Sequence, residues 1–326
     1  MKYQESQRIL EMIQAAQKIA LNCHHHPDSD TVASATVLAK VIQGMGKEVV
    51  ILCPDQVPSD LLFIDGADRI VTKAFEDVSF SDFDLLIMCD TSTWKRVFIS
   101  QTFTPPTIPV VVIDNHVTNE KYGTLNLLDF ETSSVSEMMY SILTDWGVSI
   151  DSSIATALMA GIVGDTGSFQ YEIHADTFAI AHALKDAGAD MKNIDLNLFD
   201  TKPLALIQFW GKTIDKLTIE DNFAYAAFSF DEYNEFVHIN GTRESAVGLI
   251  IRKVENTDFG FILTEEAPNT CSISFRSRTG TDVAQMAVEL GGGGHKGASG
   301  VYMQQVSFAE ALEKTLTVCR KYKKIN

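Results

Sequence analysis

The sequence predicts an α/β protein: a parallel sheet with flanking helices in the N-terminal part, then a smaller mixed α/β domain. Three observations predict it. Residues 83–89 (FDLLIMC) and 108–113 (IPVVVI) are continuous apolar runs, as in strands buried on both faces of a parallel sheet. Helical patterns lie between several such runs. Past about residue 220 the texture changes to alternating strands.

In chain order, residues 4–17 read as an amphipathic surface helix and 18–23 as a strand. A helix over 31–43, closed by Gly44 and Gly46, leads to a strand over 48–53. A loop with a short helix (54–67) and a short strand near Ile70-Val71 precede the two apolar runs. Ser134-Val135-Ser136-Glu137 has capping-box spacing and opens a helix to about Trp146. Asp151 starts a nearly uncharged, hence central, helix that runs into Asp165. Helices follow over 176–200, and a connecting helix over 201–216. The second domain has strands at 222–229, 260–264 and 271–276, and helices at 241–254 and 282–289. The expected boundaries are 1–188, a helical linker over 189–218, and 219–326.

Net charge is −17, unevenly spread: residues 241–326 hold 11 Lys+Arg against 9 Asp+Glu, so the acidity lies in the first 240. Such a chain lacks the general basic surface that binds long duplex nucleic acid. It can hold a short anion if metals and a few arginines supply local positive charge. No apolar run has the length of a membrane span, and the N-terminal helix carries acids, unlike a signal peptide. Five scattered cysteines read as reduced, buried thiols of a cytoplasmic protein. The basic stretch Lys321-Tyr322-Lys323-Lys324 reads as a solvated tail.

Ligands of open α/β sheets bind beyond the carboxyl ends of the strands. Three strands deliver polar clusters to that rim: His24-His25-His26-Pro27-Asp28-Ser29-Asp30, then Asp90, then Asp114-Asn115-His116. Carboxylates held this close repel unless a cation or a shared proton neutralises them. Asp165, ending the central helix, is a fourth acid of the same kind. In the second domain, Ser274-Phe275-Arg276-Ser277-Arg278 sets two arginines two apart at a strand end. Four glycines then precede His295 and Lys296. Such a run is costly in conformational entropy, and it makes sense where backbone N–H groups close around an anion.

Together these segments resemble the DHH phosphoesterase family, in its oligoribonuclease (nanoRNase)/pAp-phosphatase branch. His24-x-x-Pro27-Asp28-x-Asp30, Asp90-Thr91, Asp114-Asn115-His116 with Asn119, and Gly164-Asp165-Thr166-Gly167 match its four N-terminal motifs in order. Gly291–Gly294 with His295 and Gly300 match the signature of the DHH-associated C-terminal domain. The resemblance implies two divalent cations, Mn²⁺ with Mg²⁺ as the alternative. His24, Asp28 and Asp90 would hold one. Asp30, Asp90, Asp165 and Asn115 would hold the other. It implies that His116 helps the leaving oxygen or contacts the scissile phosphate, that Asp114 orients that loop through hydrogen bonds, and that Asp90 bridges the metals. The resemblance places the smaller α/β C-terminal domain across a cleft, where Arg276, Arg278, Gly293, Gly294 and His295 would bind the rest of the substrate. His25 and His26 fall outside the motif positions and read as rim or surface residues.

One residue departs from the family pattern: Asn115 stands where the family has histidine. Weak ligation by Asn115, a water in its place, and a second metal that binds only with substrate all stay open. The implied activity is hydrolysis of short oligoribonucleotides, linear dinucleotides (pApA/pGpG type) or pAp to mononucleotides by a two-metal-activated water. The alternatives are a pyrophosphatase or exopolyphosphatase on the same scaffold, and a catalytically weakened nucleotide-binding protein. The implied partners are short RNA or nucleotide substrates, with no membrane. A homodimer is left open.

Overall fold

The computed structural model describes residues 2–98, 100, 103–170, 173–239 and 241–322. The chain divides after residue 201 into two compact units.

The first unit contains α1 (Gln4–Ala15), β1 (Lys18–Asn22), α2 (Ser29–Gly44), β2 (Glu48–Cys53), β3 (Val71–Thr72), β4 (Leu85–Cys89), β5 (Val110–Asp114), β6 (Leu125–Leu128), α3 (Val135–Asp145), α4 (Ser152–Asp165), α5 (Ala175–Asp186) and α6 (Met191–Asp195). Its six strands are all parallel, in the order β3-β2-β1-β4-β5-β6. The chain winds outward from β1 to one edge, returns beside β1 as β4, and winds to the other edge. The strand order therefore reverses between β1 and β4, where a crevice opens at the carboxyl ends of an open α/β sheet.

Every residue of β4 and β5 is buried, which explains the unbroken apolar runs. Alternate side chains enter two cores. Ile19, Leu21, Leu85, Ile87, Val111 and Ile113 pack beneath the helices. Ala20, Leu86, Met88, Val110 and Val112 pack against Phe75, Trp94 and Phe98 on the other face. Each fully buried aliphatic side chain contributes about 1.5–3 kcal/mol, so a one-residue register slip, which would exchange the two faces, is strongly disfavoured.

The uncharged helix α4 is buried along most of its length. Gly161 and Gly164 let it press onto the N-termini of α2 and α3. A β-carbon at Gly161 would lie 2.0 Å from Ser136 Oγ and 2.8 Å from Asp30 Oδ1, and one at Gly164 would lie 1.8 Å from Ser29 Oγ.

The second unit contains α7 (Leu204–Asp215), β7 (Thr218–Glu220), β8 (Phe223–Phe228), α8 (Phe230–Tyr233), α9 (Thr242–Leu249), β9 (Phe259–Ala267), β10 (Thr270–Ser277), α10 (Val283–Glu289), β11 (Gly293–His295), β12 (Ala298–Gln304) and α11 (Phe308–Lys321). Its sheet order is β11-β12-β10-β9-β8-β7, antiparallel except for the β8/β9 pair. Phe223, Phe259, Phe261 and Phe275 fill one face, under Ala311, Leu316 and Cys319 of α11. Phe209 of α7 joins Phe228 and Ile262 on the other. The stretch 189–218, read as a linker, is helical and divided between the units: Ile194 of α6 is in the first core and Phe209 of α7 in the second.

The sequence reading did not identify β6, the β11–β12 hairpin or α11. The glycine run is built into that hairpin rather than forming a loop. Gly291 N–H donates to the Val288 carbonyl and Gly292 N–H to the Ala287 carbonyl, a Schellman cap on α10. Gly292 and Gly294 then lie so close to β12 that a β-carbon would be 2.2 Å from Gly300 O and 2.6 Å from Ser299 Cα. The basic stretch also departs from a solvated tail at its start, since Lys321 pairs with Glu289. Lys323 and Lys324 lie outside the described residues. All five cysteines are buried free thiols. Among the described residues no helix is long and apolar enough to cross a membrane.

Candidate active site

The site forms where β1 and β4 end side by side. Asn22, the last residue of β1, ties the two ends together. Its Nδ2 donates to Thr91 Oγ1 (2.7 Å), and its Oδ1 accepts from Cys89 N–H (2.7 Å). This residue was missed in the sequence, although an amide closing an apolar strand is a legible signal.

His24 follows two residues on, buried. Its Nδ1 lies 2.8 Å from the carbonyl of His25, which fixes that nitrogen as the N–H donor. Nε2 then faces Asp90 Oδ2 at 3.1 Å and Asp28 Oδ2 at 3.4 Å. Burial opposes a charge on His24, but the two carboxylates overrule it and its pKa is pushed up to about 10. Without another cation, the imidazole itself neutralises its acidic neighbours.

Asp28 caps α2. Its Oδ1 accepts from the backbone N–H groups of Asp30 (3.1 Å) and Thr31 (3.0 Å), so its Oδ2 remains for the site. Burial works against its ionisation, but His24 and the Thr31 N–H hold its carboxyl below the usual range. Asp90 is buried with a left-handed backbone (φ 52°), uncommon for a residue with a β-carbon. Its Oδ1 is buried with no hydrogen-bond partner. Burial raises its pKa and the charge of Asp28 adds to this, against the pull of His24.

Asp114 ends β5, buried. It accepts from Asn119 Nδ2 (2.7 Å) and holds His116 Nδ1 at 2.8 Å. His116 is exposed and its pKa is raised, first by that bond to Asp114. Its Nδ1 also lies 3.6 Å from Asp90 Oδ1. Asn115 donates from Nδ2 to the Thr132 carbonyl (3.1 Å), which leaves its Oδ1 buried and without a partner.

Asp30 is fully buried at the N-terminus of α3. Its oxygens accept from Val135 N–H (2.7 Å) and Ser136 N–H (2.8 Å). Burial and the charge of Asp90 push its pKa up to about 8 despite those donors. Asp165 keeps part of its surface open to solvent, but the protein packed around its carboxyl desolvates it, and this, with the charges of Asp30, Asp90 and Asp28, raises its pKa well above the usual range.

Two groups have ligand atoms within 4.8 Å of one another: His24/Asp28/Asp90 and Asp90/Asp114/His116. Asp90 belongs to both. The first is the ligand set expected for one metal. For the other, the structure brings Asp114 and His116 to Asp90, while Asp30 and Asp165 enter neither group among the described residues. The residues fit a divalent cation. Acids raise one another's pKa, and two buried oxygens, Asp90 Oδ1 and Asn115 Oδ1, have no protein donor.

His25 and His26 flank the site. Asp55 holds His25 Nδ1 at 3.1 Å and accepts from His26 N–H at 2.7 Å, while the His26 side chain is 94% exposed. In the second unit, Arg276 lies in β10, where its Nη1 donates to the Phe275 carbonyl (2.9 Å). Arg278 Nη1 donates to the Thr257 carbonyl (3.1 Å). Gly293, Gly294 and His295 form the edge strand β11.

Residues 18–162 match the DHH family, N-terminal domain, and residues 225–323 match the DHHA1 domain. The chain is 26% identical to the bifunctional oligoribonuclease and PAP phosphatase NrnA of Bacillus subtilis, over 96% of this chain and 98% of that protein. It is 27% identical to the cyclic-di-AMP phosphodiesterase GdpP of Geobacillus thermodenitrificans, over 94% of this chain and 48% of that one. An exopolyphosphatase-related protein from Bacteroides fragilis shares the fold, with a TM-score of 0.87 and 24% identity over 98% of this chain and 96% of that one.

Proposed function

This chain belongs to the DHH family, and we propose that it is a metal-dependent phosphoesterase that hydrolyses short oligoribonucleotides, linear dinucleotides or pAp to mononucleotides. The observation that carries this reading is Asp90. It is a buried carboxylate at the strand ends, grouped with His24 and Asp28 and close enough to Asp30 and Asp165 for its charge to raise their pKa, with an oxygen that has no hydrogen-bond partner. The names of the relatives, NrnA above all, support the substrate class.

His24, Asp28 and Asp90 would hold one cation. Asp90, Asp30, Asp165 and the Asn115 oxygen would hold another. Oxygen-rich ligation with a single imidazole suits Mn²⁺ or Mg²⁺ better than zinc. Bound cations supply positive charge to the phosphoryl oxygens and lower the pKa of water. The protein does the rest. Asp28 is aimed by the α2 cap, and His24 by the His25 carbonyl. Asp114 holds Nδ1 of His116, so Nε2 is the nitrogen that gives a proton to the leaving oxygen. Arg276, Arg278, Gly293, Gly294 and His295 would take the non-scissile end of the substrate through charge-assisted and backbone contacts. The same reading puts the enzyme in the cytoplasm, where five unpaired thiols stay reduced.

The test is purified protein with Mn²⁺ on pApA, pAp and pyrophosphate. The expected result is release of AMP from the first two. Hydrolysis of pyrophosphate alone would overturn the reading in favour of a pyrophosphatase.

We further propose a homodimer through the exposed face of α7, where Leu204, Ile207 and Ile214 are 70%, 47% and 58% exposed. In an antiparallel pair Leu204 would face Ile214 of the other copy, and Ile207 would face Gly211, whose β-carbon position is open. Such a patch is self-complementary, as a two-fold interface requires. Sedimentation should give a dimer that Ile207→Glu splits; a monomeric wild type would contradict it.

A further inference from the structure

Unit 1 carries an aromatic feature that the metal chemistry does not use. Phe169 and Phe178 stack with ring centroids 5.5 Å apart and planes at 21°. Phe178 projects from α5 and is 55% exposed, and Phe169 is half-buried beneath it. Both are joined by short stretches of chain to residues that are tied to the site. Phe169 is four residues past Asp165, in a turn closed by Ser168 N–H to the Val163 carbonyl (2.8 Å) and Gln170 N–H to the Thr166 carbonyl (2.8 Å). The Phe169 N–H is held by Thr166 Oγ1 at 3.0 Å. Ser168 and Phe169 are both left-handed there (φ 57° and 62°).

On the other side, Phe178 adjoins Thr177. That hydroxyl donates to Glu137 (3.0 Å) and lies 2.8 Å from Ser133 Oγ. Ser133 follows Thr132, whose carbonyl holds Asn115, and precedes by two and three residues the N–H groups that hold Asp30. The aromatic pair is thus linked to Asp165 through the turn that carries Phe169, and to the Asn115/Asp30 corner through Thr177 and Ser133.

We propose that Phe178, backed by Phe169, is the platform on which the nucleobase nearest the scissile phosphate stacks. The inference rests on the phosphoesterase reading and names the part of the substrate that this rim takes. A flat ring open to water on one face and supported by a second ring on the other fits a heterocycle, whose π-face every base presents. It does not fit a polyphosphate, which has no apolar face. Stacking of this kind tolerates any base, so adenine and guanine nucleotides are both accommodated.

The test compares AMP with ribose 5-phosphate, which keeps the phosphate and sugar but lacks the base. Binding of each to the full-length, Mn²⁺-loaded protein is measured by calorimetry for wild type, Phe178→Ala and Phe178→Trp. Expected are tighter binding of AMP than of ribose 5-phosphate by wild type, and a loss of roughly tenfold or more for AMP in Phe178→Ala with ribose 5-phosphate unchanged. Phe178→Trp should restore the AMP affinity, and KM for pApA should follow the AMP constants. Equal binding of the two ligands by wild type, or an unchanged AMP affinity in Phe178→Ala, would overturn the platform. Failure of the wild type to hydrolyse pApA and pAp would instead overturn the underlying activity, and the two binding constants would still judge the platform.

Discussion

The two segments that first drew attention in the sequence behave differently in the structure. At the strand ends of the first unit, Asp90 Oδ1 and Asn115 Oδ1 are buried without partners, and acids push one another's pKa upward. At the glycine run of the second unit, Gly291 and Gly292 complete a helix cap, and Gly293 and Gly294 pair with β12. The first arrangement leaves buried oxygens unpaired where the proposed cations would sit. The second is already accounted for as a fold element, so its ligand role rests on the neighbouring arginines and on family resemblance. Unpaired buried oxygens crowded by other carboxylates favour a cation, whereas an unusual composition can be spent entirely on packing.

Breaking the comparison from the metal side should give the largest effect. Asp90→Ala removes the ligand shared by both proposed cations. Turnover of pApA should fall by at least about 10³-fold, as the charge stabilisation from both cations is lost. Steady-state assays at saturating Mn²⁺ would show it, and wild-type-like kcat would refute the shared role. Asp114→Asn should have an intermediate effect. It keeps the shape but weakens the hold on His116 Nδ1, and kcat should drop by about 10–100-fold with KM little changed.

The glycine side should respond in stability rather than chemistry. Gly294 has φ 141°, and its β-carbon would meet β12. Gly294→Ala should therefore destabilise the second unit by about 1–3 kcal/mol, read by denaturant unfolding, while Mn²⁺ affinity stays at the wild-type value. A change in Mn²⁺ affinity without a change in stability would reverse the assignment of the two regions.

The smallest effect should come from the far end of the helix that carries Asp165. Asp151 caps α4 through Ile154 N–H (2.8 Å), and that bond, with Lys40, holds its carboxyl below the usual range. Asp151→Ala should cost about 1 kcal/mol at neutral pH. Because the folded pKa is the lower one, the cap's contribution is present above the unfolded carboxylate range and is lost as pH falls through the folded pKa. Thermal melts at pH 7 and pH 3 should show wild type and variant converging in acid.

Much of this was legible in the sequence. β4 and β5 announce themselves because both faces of the sheet are covered, leaving no polar positions to break the runs. His24, Asp90 and Asp114 were legible because they close such strands. The misses have physical causes. β6 is a four-residue edge strand, mostly half-buried, with no periodicity to read. β11 is built from glycines, which carry no side-chain pattern. The amphipathic pattern of α11 was available and was passed over in favour of the lysines at its end. Phe178 sits in an apolar helical stretch, and hydrophobicity alone does not separate an exposed ring from a core one. That the Asn115 amide oxygen and one of the two Asp90 oxygens lack a partner depends on contacts between distant residues, so only coordinates reveal it.

The central claim is that the strand ends hold two cations through one shared carboxylate. It is tested most directly by Mn²⁺ titration of the wild-type protein without substrate, with free Mn²⁺ read by electron paramagnetic resonance. The expected result is two Mn²⁺ bound per chain in wild type and loss of tight binding at both sites in Asp90→Ala. One Mn²⁺ or none per wild-type chain, or two still bound tightly by the variant, would contradict it.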